Sequence, residues 1–324
     1  MKVPRRQFLT AAGALLAAPL TATGQPAAKV PRIGILLFNS PQVDYIVPLL
    51  EGLKALGYVD GQSAVFDYSF AGGRAERLPE LAAELVRLRP DVIFAYGGDV
   101  APYAKKATDS IPIVVMVSND PVQSGLVASL ARPGANVTGL TLIYDELAGK
   151  VLELLKEAVP SMSRCAVLWN PDHADPEYRY TQRSAAAVGV RLQSLEVRRA
   201  GDFEGAFKAA VDGHAEGLVV VSSRVLFQQR KEIAEFAARS RIPMAGGWGD
   251  WTKDGFLLTY GPNTVDAMRR IPVYIDKILK GASPASLPIE RPAKFQLMIN
   301  LKTAKFLGIT IPQSVLLRAD EVIE

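Results

Sequence analysis

Cysteine, histidine and long apolar runs are scarce in this chain, and each shortage removes a class of function. Cys165 is the sole cysteine, so no disulfide can form within the chain, and its place in the apolar run RCAVLW marks it as core. The two histidines, His173 and His214, stand far apart and neither keeps a Cys/His ligand spacing. A zinc site or a serine-histidine hydrolase is therefore poorly supported, and no metal is expected. No low-complexity tract and no internal repeat of solenoid length is present. The first strand-like run opens through Gly34-Ile35-Leu36-Leu37-Phe38-Asn39-Ser40, which lacks G-x-G-x-x-G. A Rossmann-type enzyme would have no glycine platform for a dinucleotide, and no cofactor is expected.

What the chain does contain is ordinary for a globular protein: 49% hydrophobic and 22% charged residues. Its 324 residues exceed what one core usually organises, which favours two domains. The N-terminus accounts for most of the net charge. Lys2, Arg5 and Arg6 precede an alanine-rich apolar run ending at Leu20 and a small-residue exit, TATG, which is the layout of an export signal and too short for a membrane span. Arg5-Arg6-Gln7-Phe8-Leu9 fits the twin-arginine pattern. Removing residues through Gly24 takes three positives and no negatives from the formal charge of +4, leaving about +1. No basic field then remains for nucleic acid. No cysteine follows the signal to carry a lipid, so a freely diffusing periplasmic protein is expected.

The rest alternates strand and helix patterns. RIGILLF at Arg32 to Phe38 is followed by a cap-and-proline signal, Asn39-Ser40-Pro41, and a helix burying Ile46, Leu49, Leu50, Leu53 and Leu56 until Gly57. Strands at 63–70 and 91–95 flank a helix burying Leu78, Leu81, Leu85 and Leu88. Asp99 is placed to cap the next helix. IPIVVMV, Ile111 to Val117, is apolar without alternation, as a parallel strand covered on both faces should be. Ala131 to Gly139, with Pro133 and two glycines, reads as a turn leading out of the first sheet. The pattern then restarts: a helix from about Tyr144 to Val159, the strand CAVLW, a helix to Val188, strands at 190–197 and 217–221, a helix carrying Ile233, Phe236 and Ala237, and a short strand from Ile242 to Ala245. Gly255 to Tyr260 is a strand, and Asn263 caps a helix to Leu279 that Pro272 should kink, at a cost of roughly 3 kcal/mol if straight. A final strand, Lys294 to Ile299, precedes a helix capped by Asn300.

Six strand ends carry polar or glycine-rich residues. They are Asn39-Ser40, Gly97-Gly98-Asp99, Ser118-Asn119-Asp120, the turn from Asn170 to Asp172, Ser222-Ser223 and Trp248 to Asp250. Each taken singly reads first as a helix cap. As a set they line the carboxyl ends of two sheets, where open α/β folds bind ligands. An amino acid would place its carboxylate at helix N-termini near Ser40, Gly98, Ser222 or Ser223, and its ammonium at Asp99, Asp120 or Asp250. Its side chain would meet Tyr96, Trp248 or Trp251, although packing at a domain edge explains Trp251 better.

RPGANVTGLT, with DPVQSGLVASL before it and PAKFQLMINLKTAKFLGITIPQSVLLRADEVIE at the C-terminus, resembles the substrate-binding proteins of one ABC-transporter family. Its characterised members bind tryptophan, tyrosine or related amino acids. The resemblance runs from RIGILL to ADEVIE. It implies a type I periplasmic binding protein: an α/β fold of two Rossmann-like lobes with parallel sheets, joined by a three-strand hinge. The lobes would be 29–140 plus 262–290 and 141–261 plus 291–324, after an export signal at 1–28. Family ligand contacts come from interlobe loops and map onto Asn39-Ser40, Gly97 to Asp99, Asn119-Asp120 and Trp248 to Asp250. Tyr96 to Asp99 and Trp248 to Trp251 depart from the usual small or less aromatic residues. The resemblance implies a monomeric, non-catalytic receptor that closes on a small amphipathic solute, an aromatic amino acid or analogue, and delivers it to an ABC permease. Alternatives are a ligand sensor presenting the same closed form to a membrane partner and, with less support, the Rossmann-type enzyme. A DNA-binding repressor is disfavoured, since an export signal occupies the place of a helix-turn-helix.

Overall fold

Val, Ile and Leu runs of strand length, separated by amphipathic helical stretches, dictate sheets covered on both faces. The structure, a computed structural model, describes residues 30–39, 46–173 and 177–324, without the side chains of Asp145 and Asp250. The export-signal reading and part of the cap-and-proline reading, Ser40-Pro41, fall outside these residues. Residues 31–324 form one contact unit.

The first sheet is built by β1 (Arg32–Leu37), α1 (Val47–Ala55), β2 (Val65–Phe70), α2 (Leu78–Arg87), β3 (Val92–Tyr96), α3 (Ala101–Ala107), β4 (Ile113–Val117) and β5 (Val137–Thr141). Its order is β2-β1-β3-β4-β5 and every pair is parallel. Side chains sort by the two-residue period of a strand. Ile33, Ile35 and Leu37 share a core with Leu49 and Leu53 of α1. Leu36 turns to the other face, with Leu78, Ala82 and Leu85 of α2. Burying each such Leu or Ile stabilises the fold by about 1.5–3 kcal/mol, so register is strongly specified.

The second sheet follows from α4 (Tyr144–Ala158), β6 (Arg164–Trp169), α5 (Glu177–Val188), β7 (Arg191–Glu196), α6 (Phe203–Asp212), β8 (Gly217–Val220), α7 (Arg224–Gln228), α8 (Arg230–Arg239), β9 (Met244–Gly246) and β10 (Leu258–Pro262). Then come α9 (Thr264–Leu279), β11 (Phe295–Asn300), α10 (Leu301–Leu307), α11 (Gln313–Leu316) and β12 (Glu321–Ile323). The order is β12-β11-β10-β9-β8-β6-β7, parallel except where β11 returns antiparallel to β10. Cys165 is buried there and burial pushes its thiol up to about 12.

The chain crosses between the sheets three times. It leaves the first after β5, through Leu142 and Ile143 into α4. It comes back after β10, because α9 packs Met268, Ile271 and Ile275 into the core of Ile33 and Ile35. It leaves again before β11, where Glu290 N–H donates to Gly139 O and Thr141 N–H to Glu290 O. Asn263 and Asn300 cap α9 and α10 with their side chains, as the sequence implies.

Four expectations need correction. Gly139 is not in a turn that leaves the sheet: Val137–Thr141 pairs with β4. Gly139 has φ +136° and a Cβ there would lie 2.0 Å from Val115 O, so the glycine serves close strand approach. The first helix starts at Val47, with Pro48 in its first turn, so Asn39 is not its cap. Leu56 and Leu88 are exposed, because α1 and α2 end one residue before them. Asp99 does not cap α3, whose N-cap position is Val100 without a side-chain bond.

Candidate functional site

Asp99 has a different partner. Val100, Ala101 and Ala104 anchor α3 in the core, and the turn before it, Gly97-Gly98-Asp99, stands at the carboxyl end of β3. At the carboxyl end of β8, Ser222 and Ser223 are followed by Arg224, the first residue of α7. Arg224 Nε lies 3.1 Å from Asp99 Oδ2, and its Nη2 donates to Tyr96 O at 3.0 Å. The guanidinium also lies over the rings of Phe38 and Tyr96, at 5.1 and 5.5 Å. Gly97 makes room for it. With φ +117°, a Cβ there would be 2.3 Å from Arg224 Nη2, so the position needs glycine for both conformation and space.

Around this pair is a cleft with about 550 Å³ of empty volume. The first sheet lines it with Tyr96, Gly97, Gly98, Asp99, Met116, Ser118 and Leu142, and the second with His173, Ser222, Ser223, Arg224, Phe227 and Trp248. Trp248 is held on three sides. It stacks on Tyr144 with centroids 4.7 Å apart, meets Phe227 edge-on at 5.6 Å, and donates its Nε1–H to Ser222 Oγ at 3.1 Å. Ser222 N–H in turn donates to Glu177 Oε2 at 2.9 Å. A second cross-link between the sheets' loops runs from Gln228 Nε2 to Asn39 Oδ1, at 2.9 Å.

Burial acts to raise the Asp99 carboxyl. The charge and hydrogen bonds of Arg224, the field of His173 and the Asp99 backbone N–H outweigh it, holding the group below its ordinary value. The cleft thus offers a carboxylate on one wall and a guanidinium on the other, with hydroxyls and aromatic faces around them. Among the described residues, no group of three or more His, Cys, Asp or Glu could hold a metal ion.

Of the residues singled out in the sequence, Tyr96, Gly97, Gly98, Asp99, Ser118, Ser222, Ser223 and Trp248 come together in this cleft. Asn39 lies beside it through Gln228. Asn119 sits behind the lining, where a Cβ on Gly98 would be 2.9 Å from its Oδ1. Asp120 ties its own turn, accepting from Val122 N–H and Gln123 N–H. Asn170 does likewise with Asp172 N–H. Ser40 and the Asp250 side chain lie outside the described residues. Trp251 is buried against Phe256.

Arg224, Phe227 and His173 were missed as site residues. Helix N-termini are weak anion sites here, because α3 has 7 residues and α7 only 5. A short helix supplies at most about half a charge. A guanidinium directly after Ser222-Ser223 supplies a whole one, and that was the signal available.

Fold and cleft together define a two-sheet binding protein. The chain belongs to the ABC transporter substrate binding protein family, whose model it matches over residues 35–323. That is a family of solute-binding proteins rather than of enzymes; it implies a small-molecule ligand, a permease partner and a place of work outside the cytoplasm. Among the described residues no helix is long and apolar enough to cross a membrane. A "tyrosine-binding protein" of Clostridioides difficile (strain R20291) is 25% identical over 286 residues, covering 87% of this chain and 82% of that one. A conserved domain protein from Vibrio cholerae superposes with a TM-score of 0.84 at 29% identity, over 91% of this chain and 100% of that one. An ABC domain from Streptococcus pneumonia in complex with L-Trp superposes with a TM-score of 0.82 at 25% identity, over 90% and 99%. The type I periplasmic binding protein architecture read from the sequence is the one these neighbours share.

Proposed function

We propose that the chain is the extracytoplasmic receptor of an ABC importer, exported by the twin-arginine route and acting as a monomer, which closes on an aromatic amino acid or a close analogue without altering it. The observation that carries this reading is the Arg224–Asp99 pair. Its charges stand on opposite walls of the cleft, 3.1 Å apart at the closest. They have the signs and arrangement to receive an α-carboxylate at Arg224 and an α-ammonium at Asp99. A zwitterion inserted between them replaces one ion pair by two. Tyr96, Phe227 and Trp248 supply faces for a planar side chain.

Closure then follows from population shift. A ligand touching both walls stabilises the closed arrangement by its differential contacts, and the three crossings, at 142–143, 261–263 and 290–294, serve as the hinge. The relatives named for tyrosine and solved with L-Trp support an aromatic side chain.

Isothermal titration of ligand-stripped protein with amino acids tests the reading. Tyrosine, tryptophan or phenylalanine should bind at micromolar affinity or better, quenching Trp248 fluorescence, while aromatic amines and aromatic acids lacking one of the two charges should bind at least tenfold more weakly, as expected when a buried charge loses its partner. Equal binding of the decarboxylated or deaminated compounds would refute the zwitterion assignment.

A further inference from the structure

Among the described residues, four non-glycine residues have positive φ: Arg89, Ile143, His214 and Arg241. Three follow one pattern. Arg89, His214 and Arg241 are exposed and stand two residues past the ends of α2, α6 and α8, where a left-handed residue commonly closes a helix. Ile143 does not share it. It precedes a helix, at φ 49° and ψ 35° before α4, and is 7% exposed. Its Cβ is branched, which makes the left-handed region a genuine outlier for it. Such strain persists only where the surroundings impose it.

What imposes it is the first crossing between the sheets. Leu142 N–H donates to Val117 O at 2.8 Å, continuing the pairing of β5 with β4. A parallel ladder would place the next bond two residues on, from Tyr144 N–H to Asn119 O. Tyr144 N–H donates to Ser118 O instead, at 2.9 Å, and Asn119 O accepts from Thr141 Oγ1. The left-handed turn at Ile143 is what draws the chain back by one residue. Ser118 lines the cleft from the first sheet. Tyr144 opens α4 and lies against the second. A Cβ on Gly247 would come within 2.8 Å of its ring and one on Gly261 within 3.0 Å, and the ring stacks on Trp248. The bond that needs the strained residue therefore joins the two sheets.

The walls of the cleft touch in this arrangement, through Arg224–Asp99 and Gln228–Asn39, so it is the closed one. We propose that Ile143 is a strained pivot: its left-handed backbone belongs to the closed arrangement, and opening breaks the Tyr144–Ser118 bond and lets φ return to negative values. The strain holds the ligand-free receptor open and speeds release, and the contacts of a ligand with both walls offset it on binding. The inference rests on the proposed closure around a ligand, and adds to it a residue whose replacement strengthens binding.

The test compares Ile143→Gly with Ile143→Ala. Both remove the branched side chain, but only glycine adopts the left-handed region without cost. Spin labels go on Lys106→Cys of α3 and Arg179→Cys of α5, both exposed and on opposite sheets, while Cys165 is buried and stays unlabelled. The ligand-free glycine protein should show shorter label distances than the alanine protein. Titration should give it about tenfold tighter binding of tyrosine or tryptophan. Identical distance distributions overturn the pivot. So does a glycine protein more stable to urea than the alanine protein but equal to it in affinity, since the turn would then be left-handed in both arrangements. If the glycine protein does not fold, Ile143→Asn against Ile143→Thr repeats the comparison, because asparagine tolerates the left-handed region and threonine does not. Shifted distances without binding of any aromatic amino acid would leave the pivot standing and sink the zwitterion reading.

Discussion

Two Arg–Asp pairs, Arg224–Asp99 and Arg230–Asp254, are nearly the same object chemically. The arginines stand six positions apart, at the starts of α7 and α8. Each guanidinium lies 5.1 Å above a phenylalanine ring, Phe38 in one case and Phe227 in the other. Side-chain exposures are alike, 20% and 26% against 22% and 20%. What differs is where the partner belongs. Asp254 ends the 3₁₀ turn of Gly249–Asp254 on the same sheet as Arg230, so that pair forms whatever the cleft does. Asp99 belongs to the other sheet, and its pair spans the cleft. Equal burial and equal chemistry therefore yield a brace in one place and, in the other, a contact that a zwitterion can take over.

The largest expected effect breaks the symmetry between them. Arg224→Met removes the carboxylate's partner and should lower affinity for aromatic amino acids more than a hundredfold, about 3 kcal/mol, while lowering unfolding free energy by only about 1 kcal/mol. Titration calorimetry beside far-UV circular dichroism reads both. Arg230→Met should do the reverse. It strands Asp254 without its cation, and after allowance for the exposed fifth of each side chain the loss of unfolding free energy should be about 1–2 kcal/mol. Chemical denaturation measures it, and binding of a ring-free zwitterion such as alanine should be unaffected. If Arg230→Met abolished binding of every zwitterion and Arg224→Met spared it, the brace and the ligand contact would have to exchange roles.

The same pairs show what a sequence can carry. Strands such as Ile113–Val117 are legible because β-branched runs have few other uses, and the caps at Asn263 and Asn300 because a cap bonds within three residues. Gly139 was misread since a strand glycine and a turn glycine look alike until the neighbouring strand is placed. Asp99 looked like a cap for the same local reason. Its true partner is 125 residues away, a distance at which spacing carries no signal. Seven of the strand-end residues come together in the cleft because α/β topology alone sends strand carboxyl ends there. Arg224 was not legible, because only the opposing wall gives that cation a meaning.

The smallest effect tests whether charge, and not shape, joins the walls. Burial would raise the Asp99 carboxyl, but Arg224, aided by His173 and the local backbone, holds it below its ordinary value. The unfolded chain returns it to about 3.9. A carboxyl depressed by folding contributes stability that is present in full above the unfolded value and is lost as pH falls through the folded one. Asp99→Asn keeps the size of the side chain and removes its titration. Wild type should accordingly exceed Asp99→Asn by about 1 kcal/mol at neutral pH, a partly exposed pair being worth no more. The two should converge as pH falls through the depressed folded-state value, below which both carry a neutral group opposite Arg224. Other acid-sensitive groups, such as Glu216 with its bonds from Ser163 and Arg164, act equally in both proteins and cancel in the difference. A gap that persisted undiminished at low pH would mean that hydrogen-bond geometry holds Arg224 in place without the charge, and a ligand ammonium would then have little to gain at Asp99.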